Sequence, residues 1–264
     1  MFTALFNRIM PAALVPAALV PAALVPAALV PAHAEPAQAV IGPMATTKPI
    51  ILSIEGNIGS GKSTLLAKLQ EVYANDPSIC FLQEPVDIWE TIKDEQGTSI
   101  LEKYYADQKR YAFSFQMMAY ISRISLMRAA LKKNYRVIII ERSVYTDSAV
   151  FAKMLFDAKK IEEIEYKIYL RWVNEFIADF PAVRFVYVRA EPTVSYQRIL
   201  HRGRTGEVIP LDYLENCHKY HDDWLLAPTN TSPLLLLDAN VDITQDSAIL
   251  ARWLSAIQGL MATE

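Results

Sequence analysis

The sequence predicts an α/β fold, a five-stranded parallel sheet with helices on both faces, and three observations carry that prediction. Five short apolar runs are continuous rather than alternating, the pattern of strands buried on both faces. Long segments separate them, as right-handed crossovers require. The first run leads directly into a glycine-rich turn and then into leucines at helical spacing.

The chain begins differently from the rest. Residues 1–46 are Pro/Ala-rich and repeat the unit "PAALV", a low-complexity composition that cannot pack a core. We expect a disordered extension followed by one domain at residues 47–264. Met10 to Ala32 carries no formal charge and is long enough to span a bilayer. A proline at every fifth position would delete helix hydrogen bonds repeatedly, so no stable membrane insertion is expected. Arg8, the apolar run and "AHA" before Glu35 resemble a secretory signal, and the lack of acids before Glu35 suits an organelle presequence. The expected compartment is the cytoplasm, with the mitochondrion as the alternative if the extension is a presequence. Cys80 and Cys217 read as reduced thiols of an intracellular protein. The net charge of -3 argues against nucleic acid as a partner, so affinity for phosphate must be local.

The first strand is "IILSI", residues 50–54, and residues 56–63 read G-x-x-x-x-G-K-S. Strand, glycine turn and helix in that order make a P-loop NTPase-like start. Gly56, Asn57, Ile58, Gly59, Ser60 and Gly61 turn backbone N–H groups inward around an anion, and Lys62 reaches the outer phosphates. Ser63, beside Thr64, offers its hydroxyl to Mg2+. The expected ligand is a nucleoside triphosphate with its magnesium, ATP being the phosphate donor.

The second strand is "SICFLQEPV", residues 78–86, and Glu84 leaves it just before Pro85. Carboxyl ends of parallel strands are where chemistry gathers in such sheets. Glu84 is therefore a candidate base that accepts a hydroxyl proton and orients a nucleophile, or else a cap for the following helix. The third strand, "YRVIIIERS" at residues 135–143, ends in Glu141 and Arg142. Glu141 could hold magnesium and Arg142 could neutralise charge on a transferred phosphoryl group; a structural ion pair is the competing reading. The fourth and fifth strands are "VRFVYVRAE", residues 183–191, and "PLLLLDAN", residues 233–240. Between them, Arg198, Arg202 and Arg204 precede Gly206 and Pro210, which suggests an arginine-rich lid; a solvated basic loop would share this composition.

With these elements placed, "GNIGSGKST", "EPVDIW", "YAFSFQMMAYISRI", "ERSVYTD" and "RGRTGEVIPLDYL" occur in the order and near the spacing of the deoxyribonucleoside kinases. The chain resembles the deoxycytidine and deoxyguanosine kinase type from Lys48 to about Trp253, with a lid segment one residue shorter than in vertebrate deoxycytidine kinases. The resemblance implies ATP-dependent phosphorylation of a deoxynucleoside 5'-hydroxyl, with Glu84 as base and Arg142 contacting that oxygen and the phosphates. It implies that Tyr105 and Glu207 bind the 3'-hydroxyl, that Gln116, Arg123 and Asp147 read the base edge, and that Trp89, Phe115 and Phe151 wall it. By spacing alone Phe115 would read as core. A homodimer is implied too, again by resemblance.

An obligate donor, Arg123, beside an ionised acceptor, Asp147, suits cytosine, adenine or guanine better than thymine. The expectation is deoxycytidine or purine deoxynucleosides, and by the resemblance Ala119, which matches a small residue at the pocket floor, leans toward deoxycytidine. A non-catalytic relative that keeps the fold and a nucleoside monophosphate kinase are the competing readings. "HKYH", residues 218–221, has metal-ligand spacing, but no metal site is expected there. Trp172 and Trp224 read as core or subunit contact.

Overall fold

A computed structural model describes residues 48–203 and 209–262. Five strands, β1 (Ile50–Glu55), β2 (Ile79–Leu82), β3 (Val137–Glu141), β4 (Val183–Arg189) and β5 (Leu234–Asp238), form one parallel sheet. Its order is β2-β3-β1-β4-β5. All five expected strands are present, and the phosphate loop leaves the central one. β2 is shorter than the run that predicts it: Pro85 lacks an N–H and begins the helix α2 (Val86–Thr91), so Gln83 and Glu84 stand outside the ladder.

Because side chains alternate along a strand, the continuous apolar runs feed two cores at once. Leu52 and Ile54 of β1 pack with Ile139 of β3, Val186 and Val188 of β4 and Leu65, Leu66 and Leu69 of α1 (Lys62–Val72). Ile51 packs on the other face with Ile138, Ile140, Phe185, Tyr187 and Met127. Each fully buried aliphatic side chain of this kind contributes about 1.5–3 kcal/mol.

After α3 (Ile100–Ala106), whose Ser99 and Glu102 form a reciprocal capping box, comes α4 (Gln108–Leu131). One side of α4 buries Ala112, Phe115, Gln116, Ala119 and Arg123, at helical spacings that aim them at the carboxyl ends of the strands. After β3, the short α5 (Val144–Thr146) widens into a π-helical turn, Asp147–Ala152, before α6 (Lys153–Asp157). Such turns commonly mark functional sites. The chain continues through α7 (Glu163–Ile177), α8 (Pro192–Arg202), α9 (Leu211–Leu225) and α10 (Ser247–Ala262). Helix α8 ends on Gly203 in the left-handed conformation (φ 59°). The expected extension, and Arg204 and Glu207 of the expected lid, lie outside the described residues. Among the described residues no helix is long and apolar enough to cross a membrane.

Candidate active site

The carboxyl ends of β1, β2 and β3 open into a cavity of about 1140 Å³. Gly59, Ser60, Gly61, Lys62, Ser63, Glu84, Glu141, Arg142, Arg198 and Arg202 line its phosphate-loop side. Trp89, Tyr105, Phe115, Gln116, Ala119, Asp147 and Phe151 line the rest. The structure thus brings residues from six separate stretches of chain into one space.

The phosphate loop is held by its own side chains. Asn57 Nδ2 donates to Leu214 O (2.8 Å), its Oδ1 accepts from the Ile58 N–H (2.8 Å), and Lys62 Nζ donates to Asn57 O (2.7 Å). Gly56 and Gly59 have positive φ, and a Cβ at either would lie 2.4 Å from Val188 O or 2.6 Å from Ser195 O. Lys62 is buried, and among the described residues no carboxylate is bonded to it; burial and the neighbouring Arg142 push its pKa down to about 7.

Ser63 Oγ donates to Glu141 Oε1 at 2.8 Å. A hydroxyl and a carboxylate this close are hard-oxygen donors of the kind that could hold Mg2+. Beside them, Arg142 Nη1 donates to Glu84 Oε2 (2.5 Å) and Arg123 Nη2 to Glu84 Oε1 (3.2 Å). Burial pushes the Glu84 carboxyl up, but Arg142, Arg123 and Lys62 outweigh it and hold it below the usual range. Glu84 is therefore ionised at neutral pH. The Arg142 guanidinium also lies 5.3 Å over the Phe151 ring.

Arg123 faces Asp147 in a two-point pair, Nε to Oδ2 at 2.8 Å and Nη2 to Oδ1 at 3.3 Å. Its Nη1 donates to Glu141 O (2.8 Å) and Arg142 O (3.2 Å). With every guanidinium nitrogen engaged, Arg123 braces Asp147, Glu84 and the β3 terminus from behind, while Asp147 is the member of the pair that lines the cavity. Gln116 is buried, and among the described residues nothing donates to its Oε1, so it presents a vacant acceptor to a ligand N–H.

The aromatic wall is ordered by contacts that spacing does not reveal. Trp89 Nε1 donates to Ser122 Oγ (2.9 Å), and its ring meets Phe115 edge-on at 5.3 Å. Phe115 stacks on Tyr104 at 4.5 Å, and the Tyr104 hydroxyl lies 3.3 Å from that of Tyr213. Phe115 is at once core and cavity wall. Sequence reasoning missed Tyr104 and Tyr213; only the aromatic density of "YY" and "LDY" hinted at them. It also missed the segment after β5. Arg198 Nη1 donates to Ser60 O (3.1 Å) and Ala239 O (2.9 Å), and its Nη2 to Val241 O (2.9 Å). The residue expected in a lid fastens the phosphate loop to residues 239–241. His218 and His221 of "HKYH" diverge: His218 contacts Ala190 O and Arg189, whereas His221 Nδ1 donates to Cys217 O (2.7 Å).

Over residues 52–260 the chain matches the model of the deoxynucleoside kinase family. It is 35% identical over 203 residues to a probable deoxycytidine kinase of fowlpox virus, covering 74% of this chain and 81% of the viral one. It is 34% identical over 218 residues to the deoxycytidine kinase of Homo sapiens (72% and 84% covered). It is 32% identical over 225 residues to the mitochondrial deoxyguanosine kinase of Xenopus laevis (75% and 84% covered).

Proposed function

The chain belongs to the deoxynucleoside kinase family, and on that premise we propose that it transfers the γ-phosphoryl group of ATP to the 5'-hydroxyl of deoxycytidine or a purine deoxynucleoside. The observation that carries this reading is the ionised Glu84 bonded to Arg142 within the same cavity as the phosphate loop.

In this reading Glu84 accepts the proton of the 5'-hydroxyl and aims its oxygen in line with the γ-phosphate. Arg142, already beside Glu84, follows the charge as it moves to the transferred group, and Lys62 balances the outer phosphates. Ser63 and Glu141 would hold Mg2+, which when bound neutralises phosphate charge. Gln116 and Asp147 offer acceptors to the base edge, and Trp89, Phe115 and Phe151 exclude water from its faces. Tyr105 and Glu207 bind the 3'-hydroxyl, and Arg202 and Arg204 close over the phosphates. Homodimerisation is supported by a stripe of exposed Ile164, Ile168 and Trp172 along α7. We place the protein in the cytoplasm, with the mitochondrion as the alternative if residues 1–46 act as a presequence.

The test is an assay of the four common deoxynucleosides with Mg-ATP, on the wild type and on Glu84→Gln. The wild type should phosphorylate deoxycytidine or the purines in preference to thymidine. Glu84→Gln should keep nucleoside affinity and lose about 100-fold in kcat. Near-normal turnover in that variant would remove Glu84 from the base role, and a wild type inactive on all four would overturn the reading.

A further inference from the structure

Glu55, the last residue of β1, is fully buried and plays no part in the chemistry above. Among the described residues its three hydrogen-bond partners are all hydroxyls. Oε1 accepts from Ser53 Oγ (2.6 Å) and Ser143 Oγ (2.7 Å), and Oε2 accepts from Thr146 Oγ1. A buried carboxylate bonded only to neutral groups is a costly way to fill space, since an apolar side chain would avoid its desolvation. What it grips explains why it is there.

Ser143 and Thr146 bracket α5, and Arg142 immediately precedes them. Arg142 has φ 59°, one of two non-glycine residues with positive φ among the described residues. A non-glycine backbone in that conformation is strained and persists only where its surroundings over-determine it. Here they do. The Arg142 N–H donates to Ile54 O (3.0 Å), so β1 holds Arg142 by its backbone and, through Glu55, by its successor. Glu55 also decides what the Ser143 hydroxyl can do. Its one hydrogen goes to the carboxylate, which leaves a lone pair to accept the Thr146 N–H (3.4 Å) and cap the helix. Thr146 in turn precedes Asp147, which opens the π turn.

We infer that Glu55 is a positioning residue for the transfer reaction: by fixing the Ser143 and Thr146 hydroxyls it holds Arg142 in its left-handed conformation, so that the guanidinium meets Glu84. This rests on the deoxynucleoside kinase reading, because it gives Glu55 its effect through Arg142. Replacing Glu55 by glutamine preserves shape but puts N–H donors where hydroxyls now donate, so at least one of the three bonds must reverse or break. Arg142 can then relax toward an ordinary φ and swing its guanidinium away from Glu84.

The test is a double-mutant cycle on the full chain, with Glu55→Gln and Arg142→Lys singly and together, measuring kcat and KM for the preferred deoxynucleoside. A displacement of about 1 Å at a reacting group costs about 100-fold, so Glu55→Gln should lose about that much in kcat with KM little changed. In the Arg142→Lys background the same change should cost less than about twofold, because the residue through which it acts is already lost. An equal loss in both backgrounds, or a wild-type kcat in Glu55→Gln, would overturn the inference. If Glu55→Gln does not fold, Ser143→Ala, which removes one of the three donors, takes its place under the same criteria, with a smaller loss of about tenfold expected. A wild type that phosphorylates no deoxynucleoside would instead defeat the underlying reading, so the two failures are distinguishable.

Discussion

Raising the pH above neutrality should weaken ATP binding through one residue, Lys62. Its ammonium is buried, bonded to the carbonyl of Asn57, and brought down to about 7 by burial and by Arg142, which outweigh the opposing pull of Glu141, Glu84 and Glu55. In the free protein at pH 7 about half the molecules therefore carry a neutral lysine. A bound triphosphate demands the charged form, so binding must take up protons: about 0.5 per site at pH 7 and about 0.9 at pH 8. Affinity follows the same curve. The Kd for Mg-ATP should rise about fivefold from pH 7 to 8 and about tenfold from pH 8 to 9. Phosphate monoesters lose their last proton near pH 6, so this window belongs mainly to the lysine. Isothermal titration at pH 7, 8 and 9, in two buffers of different ionisation enthalpy, measures both quantities at once. A Kd that stays flat with no proton uptake would show that Lys62 is fully charged in the free protein, and that its carboxylate neighbours outweigh burial.

Arg123→Met with Asp147→Ala removes a pair of buried charges together. Relative kcat/KM for thymidine should rise against deoxycytidine and the purines, while total turnover falls because Arg123 also braces Glu84; an unchanged ranking of the four substrates would show that the base is read elsewhere. His221 is buried and its pKa is brought down to about 3, chiefly by burial, so between pH 6.5 and 3 the unfolded chain binds a proton that the fold refuses. Stability should fall with acidification by up to about 1.4 kcal/mol per pH unit more in the wild type than in His221→Gln, as read by urea unfolding at pH 7, 5.5 and 4.5; parallel losses would refute the assignment. Deleting residues 1–45 should leave kcat/KM within about twofold, since that composition cannot pack; a folded but inactive truncation would refute this.

The sheet was legible because strands buried on both faces leave continuous apolar runs, and Ile51 and Leu52 show the two faces being served by neighbouring letters. The site's polar members were legible where strand ends put them, as at Glu84, Glu141 and Arg142. Long-range saturation was not. Nothing near Arg123 in the sequence shows that its nitrogens are taken by Glu84, Glu141, Arg142 and Asp147, because those partners lie 18 to 39 positions away. "DSAVFA" carries no local sign of its widening; Glu55 grips Thr146 just before it, and α9 packs against it. Glu55 itself hides in an apolar run, where a single carboxylate looks like a strand end rather than a clamp.

The two glycines pinched against Val188 and Ser195 change what the loop motif can be used to infer. Gly56 and Gly59 are required by the protein's own interior, since a methyl group at either would collide with backbone whether or not a phosphate ever arrived. Selection for folding alone would therefore preserve them. A descendant that abandoned catalysis and kept the scaffold would still display the glycines of the motif, while Lys62, which stability does not favour in its buried position, would be free to drift. The glycines record an architecture; the lysine, with Glu84 and Arg142 across from it, records an occupation.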